Sequence, residues 1–202
     1  KVALGIDGMS LVFAETFDDG SYDNCSPVFF KARRQDSNGC QPNNKFYDAV
    51  KFCCEDIGDT ITVIMRVYDV PPIPGAVNLD YEEQHSNDCV VKVFVEDKLK
   101  PVCIPPANVT VSCENFDPSF WAHGQPQAVD NCCLDTIIST ASYAAFDTVC
   151  NKGTITRTFK AYDCTGNSNT CTQKIIVEYK QQYYVKFPND VVITTCDGTG
   201  NY

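Results

Sequence analysis

The most regular alternation of apolar and polar positions runs over residues 154–180. Ile155, Arg157, Phe159 and Ala161 alternate with Thr156, Thr158, Lys160 and Tyr162, the period of two that a half-buried strand requires. Residues 163–169 are rich in Asp, Gly, Asn and Ser, which turn a chain. Alternation resumes over 171–179 and ends in Ile175, Ile176 and Val177. The pattern predicts a hairpin with Cys164 and Cys171 flanking its turn. A second copy lies earlier, as strands at 61–68 and 88–97 separated by a long loop.

Shorter strands are predicted at 1–5, 10–16, 28–33, 47–53, 109–113 and 134–143. Asp7-Gly8, between the first two, is a hairpin signal. Residues 70–87 carry Pro71, Pro72, Pro74 and Gly75, and prolines exclude a central strand. The segment is therefore a loop: either an inert excursion or an insertion of the kind that often carries binding. The charged stretch 97–101 ends in Pro101 and marks a boundary. After residue 180 the pattern begins again, Phe187 to Cys196 matching Pro105 to Cys113 with one extra residue. Repeats spaced by roughly 80–100 residues are whole domains rather than solenoid turns. The expected division is 1–98, 99–180, and 181–202 as the start of a further repeat or a donated strand. No segment has a helical period of useful length, so the fold class is all-β, built of sandwich domains in tandem.

Composition narrows the function. The net charge of −10 argues against nucleic acid, whose phosphates need a basic face. No apolar run approaches about 18 residues, so no helical membrane span is expected. The opening KVALGIDGMS has no hydrophobic signal core, so a mature or trimmed start is expected. The 13 cysteines are scattered between strands without a CxxC. The adjacent pairs Cys53–Cys54 and Cys132–Cys133 point apart in an extended chain and cannot easily wrap one metal. Disulfides are expected, and with them an extracellular or cell-surface location. An odd count leaves at least one cysteine free or paired outside the chain. No Gly-x-Ser-x-Gly elbow, HExxH, phosphate loop or Cys/His dyad is present, so no catalysis is expected. His123, between Ala122 and Gly124, reads as a surface histidine. No cofactor is required. Calcium is the one ion the acids could hold, through Asp18, Asp19, Asp23 and Asn24 in one turn, or through Asp130, Asp163 and Asn167. The competing use of these side chains is to cap turns.

Several stretches resemble the HYR (hyalin repeat) family and its immunoglobulin-like relatives. They are P-x-C-x-x-P-x-N-V-T-V-S-C from Pro101, D-D-G-S-Y-D-N-C from Asp18 with its echo V-D-N-C from Val129, R-T-F-x-A-Y-D-C-x-G-N from Arg157, and V-F-V-E-D-K-x-x-P from Val93. The resemblance implies tandem immunoglobulin-like domains of a large secreted surface protein, serving adhesion or architecture. By analogy with the family, Cys103 pairs with Cys171. Cys113, Cys132, Cys133, Cys150 and Cys164 then sort among themselves, and Cys25, Cys40, Cys53 and Cys54 form two bonds within the first unit. Cys89 occupies the position of Cys171, and Cys196 that of Cys113, each without an evident partner. The first unit departs from the pattern by lacking an entry strand and its cysteine.

Two organisations follow. The chain is an excerpt of a longer array, or its last strand, through Val185, Val191 and Ile193, completes the first unit of a neighbouring copy in a head-to-tail filament. The expected partners are thus other copies or neighbouring repeats, and a surface glycan or protein. The alternative function is a carbohydrate- or protein-binding module of a secreted protein, using the 70–87 loop with Trp121.

Overall fold

A computed structural model describes residues 1–72 and 85–179. The strands in chain order are β1 (Val2–Ala3), β2 (Met9–Phe13), β3 (Phe29–Arg34), β4 (Ala49–Cys53), β5 (Thr60–Tyr68), β6 (Ser86–Glu96), β7 (Val102–Ile104), β8 (Val109–Ser112), β9 (Gln127–Val129), β10 (Leu134–Asp147), β11 (Lys152–Asp163) and β12 (Ser168–Glu178). Among the described residues helix is confined to short 3₁₀ turns at Ala14–Phe17, Cys54–Asp56 and Trp121–His123. These residues are mostly β, in several sheets tied by four disulfides.

The two halves share one plan. In the first, a four-stranded sheet has the order β1-β6-β5-β3, and β2 pairs β4 in a second, smaller sheet. In the second, the order is β10-β11-β12-β8, and β7 pairs β9. Each large sheet has three antiparallel strands with one parallel strand added, β1 on β6 and β8 on β12; β10 to β12 are consecutive, whereas β4 of the small sheet intervenes between β3 and β5. Val95 of β6 faces Val2, and Val177 of β12 faces Val111, which sets the two halves in register. Counting six residues back from each valine reaches Cys89 and Cys171.

Alternation explains which side chains turn inward. On β11, Ile155, Arg157, Phe159, Ala161 and Asp163 are all buried. Phe159 and Phe52 are fully buried, and burial of such a ring stabilises by roughly 2–3 kcal/mol. In the first half Val50 and Phe52 of β4 share a core with Val63 of β5 and Val93 and Val95 of β6, so the small sheet lies over the large one. In the second half Ile155, Ile175 and Val177 pack with Val109, Val111, Phe116, Phe120 and Phe146. The Cys103–Cys171 disulfide ties β7 to β12.

Three local expectations are corrected. The Asp7-Gly8 turn forms, with Gly8 N–H donating to Gly5 O at 3.0 Å, but its arms are not a hairpin. β1 joins β6 and β2 joins β4, because each arm finds a longer partner than the other offers. The 70–87 loop is shorter than expected, since Ser86 and Asn87 already pair with Tyr68 and Val67. The expected strand at 134–143 runs on to Asp147 in register with Lys152.

Candidate functional site at the junction of the two halves

The segments that join the halves meet at one place. Cys54, opening a 3₁₀ turn of the first half, is bonded to Cys132 of the second, 78 residues away. Beside it, Asn131 Nδ2 donates to Gly5 O at 3.3 Å. Asn167 Nδ2 donates to Asp97 O at 3.2 Å, holding the end of β6 against the β11–β12 turn. Gly8 completes the contact from below. Its φ is +71°, and an added Cβ would lie 2.7 Å from Cys54 Sγ and 2.8 Å from Asn131 O. Gly8→Ala is therefore expected to destabilise by about 2 kcal/mol through backbone strain and displaced junction atoms. Thermal unfolding checks this; Gly20→Ala, at a φ of +106° but with nothing within 4 Å of an added Cβ, is the control that carries backbone strain without displaced junction atoms.

Carboxylates gather at the same junction. Asp97, Asp130 and Asp163 each place an oxygen within 4.8 Å of the others'. Asp97 is 7% exposed and Asp163 3%. Asp163 organises the β11–β12 turn: its Oδ1 accepts from Thr165 N, Thr165 Oγ1 and Asn167 N, and its Oδ2 accepts from Asn167 Nδ2 at 2.8 Å. Burial alone would raise the Asp163 carboxyl, but these hydrogen bonds from Asn167 and Thr165 hold it below the ordinary aspartate range. Asp130 Oδ2 accepts the N–H groups of Cys132 and Cys133, each at 3.0 Å. Asp130 and Asp163, paired in the sequence reading, are thus brought together, and the structure adds Asp97; Asn167 meets Asp163 as a hydrogen-bond donor through its Nδ2. Sequence reasoning put Asp97 at the end of the 88–97 strand and the start of the linker, with no ligand role. Its signal was the inward alternation of Val93 and Val95 on β6, which Asp97 continues just past the strand; all three are buried.

The other acidic grouping is used differently. Asp18 accepts from Gly20 N and from Ser21 N and Oγ. Asp23 accepts from Cys25 N and from Ser26 N and Oγ. Both carboxyls are lowered chiefly by the serine hydroxyl each one holds. Asp18, Asp19 and Asp23 form no three-ligand cluster among the described residues; two of them cap turns, as short Asp side chains do. A further group, Cys40, Cys53 and Asp56, offers no free sulfur, because Cys40 and Cys53 are bonded to each other.

The cysteines are redistributed relative to expectation. Bonds join Cys40–Cys53, Cys54–Cys132, Cys103–Cys171 and Cys133–Cys164. Two bonds within the first unit were expected. One forms, and Cys54 instead crosses to the second half because the Cys54–Asp56 turn faces Asn131. Among the described residues Cys25, Cys113 and Cys150, expected in disulfides, have no sulfur partner, nor has Cys89. Cys25 and Cys150 are exposed in turns capped by Asp23 and Asp147, and Cys113 packs with the second core. Cys196, Val185, Val191 and Ile193 lie outside the described residues, as does most of the 70–87 loop.

His123 is not a surface residue. It is 5% exposed, stacks on Phe116 with centroids 5.6 Å apart, and its Nε2 accepts from Asp117 N–H at 3.1 Å. Asp117 in turn holds the Trp121–His123 turn through Ser119 and Ala122. The hydrogen bond from the Ser119 hydroxyl, followed by those of the two N–H groups, lowers its carboxyl to about 2. Trp121 is 74% exposed.

Two buried arginines also escaped sequence reasoning. Arg34 forms a two-pronged ion pair with Asp56, at 2.8 and 2.6 Å. Arg157 lies between the Phe120 and Phe159 rings and donates to Gly124 O and Gln173 Oε1, each at 2.9 Å. Burial lowers the Arg157 pKa. Both arginines sit at inward positions of their strands, the one signal that could have marked them.

No protein-family profile matches the chain, and no curated protein matches it.

Proposed function

We propose that the chain is a load-bearing or adhesive segment of an extracellular protein, made of immunoglobulin-like, HYR-like β-sandwich modules in series. The packing of the small sheet over the large one in the first half, and the disulfide that ties β7 to β12 in the second, support the sandwich architecture. Four disulfides support an oxidising, extracellular setting. No helix of the described residues is long and apolar enough to cross a membrane. The covalent bond between the halves suits a chain that is pulled, because it closes the junction at which serial modules would otherwise hinge.

The observation that carries self-association is the outer edge of β6. In the second half β8 covers β12 from Ile175 to Glu178. In the first, β1 covers only Val95 and Glu96. Among the described residues the rest of that edge has no strand against it, and Val90 is 62% exposed. An open edge of this kind accepts an added strand. Residues 185–196, which repeat the sequence of the β8 region, are the donor we propose, from a neighbouring copy. Deleting residues 183–202 is expected to abolish filaments seen by electron microscopy of the full chain. Fibres that persist after the deletion would refute strand donation.

A second reading, a glycan- or protein-binding module, draws on a row of exposed apolar side chains. Met9, Leu11 and Phe13 project from one face of β2 at 53%, 53% and 54% exposure. Such a row suits a protein partner better than a sugar, which needs aromatic platforms beside polar groups.

A further inference from the structure

We propose that Asp97, Asp130 and Asp163 form a calcium site that locks the junction between the two halves. Calcium binds oxygens at about 2.4 Å, so two ligands of one ion lie no more than about 4.8 Å apart. All three carboxylates meet that limit. They come from three separate segments: Asp97 follows β6, Asp130 lies between β9 and β10, and Asp163 ends β11.

Unpartnered buried oxygens point to a ligand beyond the carboxylate count. Asp130 Oδ1 is buried and has no hydrogen-bond partner, and the same holds for the neighbouring Asn131 Oδ1. Asp97 is more than nine-tenths buried, and the one hydrogen bond to its carboxylate comes from Leu99 N–H on Oδ1 at 3.0 Å. Among the described residues no lysine or arginine forms an ion pair with any of the three. Two buried carboxylates and a partly buried third this close repel one another and are poorly solvated unless a cation joins them. The caps on Asp130 and Asp163 fix both carboxylates without a positive charge, as a preorganised site would.

The donor set selects the ion. It is all oxygen, which excludes zinc-type sites that favour nitrogen and sulfur. Magnesium keeps most of its water and is held by one or two carboxylates, whereas three carboxylates from three separate segments match calcium. Asn167 bridges Asp97 O and Asp163 Oδ2 through its Nδ2, and a flip of its amide would offer a further oxygen. Because Asp97 belongs to the first half and the other two to the second, the ion would fasten the halves beside the Cys54–Cys132 bond.

The test uses the whole chain with calcium chloride, magnesium chloride or a chelator. At calcium tenfold above its Kd, the Tm is expected to rise by about 3–6 °C over the chelated protein, with magnesium giving less. Asp97→Asn keeps an oxygen for Leu99 N–H, so it folds, and it is expected to lose the calcium-dependent rise and the calorimetric heat of binding. Asp130→Asn is expected to do the same. Three results would overturn the site. The first is no heat and no Tm change up to millimolar calcium. The second is an Asp97→Asn protein that is more stable than wild type in saturating calcium. The third is a calcium response that survives both substitutions.

Discussion

Replacing Cys54 and Cys132 together by serine is expected to lower stability by about 4–5 kcal/mol, well beyond the loss expected for the short Cys40–Cys53 loop. The bond closes a loop with a sequence separation of 78, and the loop-entropy relation gives about 4.5 kcal/mol for that length. The Cys40–Cys53 bond closes a separation of 13, for which the same relation gives about 3 kcal/mol. In a chain of this size the first loss corresponds to a Tm fall on the order of 10 °C. The comparison is more informative than either value, because burial and strain enter both. Calorimetry of the two double-serine proteins is the measurement. The junction bond also couples the halves, so its removal is expected to broaden or split the transition, whereas loss of Cys40–Cys53 leaves it single. An equal or smaller fall for the junction variant would mean that the halves are already held in register by their other contacts.

Arg34→Met is expected to cost about 3–5 kcal/mol, since it leaves the Asp56 carboxylate buried without its cation. The Arg34 and Asp56 side chains are only 3% and 2% exposed. Asp56 does more than pair: it accepts Cys53 N–H at 3.0 Å and Asn38 Nδ2 at 2.7 Å, and so shapes the turn that carries Cys54. The double variant Arg34→Met/Asp56→Asn removes both charges and keeps an oxygen for one of those donors. It is expected to recover roughly half of the loss, because an uncompensated charge costs more than a neutral amide. Urea unfolding of the two variants checks the claim. A double variant no more stable than the single one would show that the pair acts through packing of the arginine stem and not through charge.

Much of the fold was legible along the chain because strand alternation is a local property. The β11–β12 hairpin could be placed from Ile155, Phe159, Ile175 and Val177, whose side chains had to share one face. The turn at Asp163 could be placed because Asp, Gly and Asn favour its backbone. The candidate site was half legible. Asp130, Asp163 and Asn167 sit in turns whose composition marks them; the cluster includes the two aspartates, and Asn167 donates to Asp163 from beside it. Asp97 did not stand out, because a charged residue beside Lys98 and Pro101 looks like solvent-facing linker until β6 is known to continue its inward alternation to that point.

The cysteines show the same limit from another side. Their number and scatter announced an oxidised framework. Which sulfurs meet depends on how sheets stack and where the halves touch, and spacing holds no record of either. Cys53 and Cys54 are neighbours, yet one bonds within its own half and the other crosses to Cys132. Cys25 and Cys132 follow the same Asp-Asn pair, yet one is exposed and free. Local chemistry thus determined the β character, the turn positions and the oxidised state, since each depends on a few adjacent residues. Tertiary structure alone decided the partners of Arg34, Cys54 and Asp97, since each answers to a group brought near only when the sheets close.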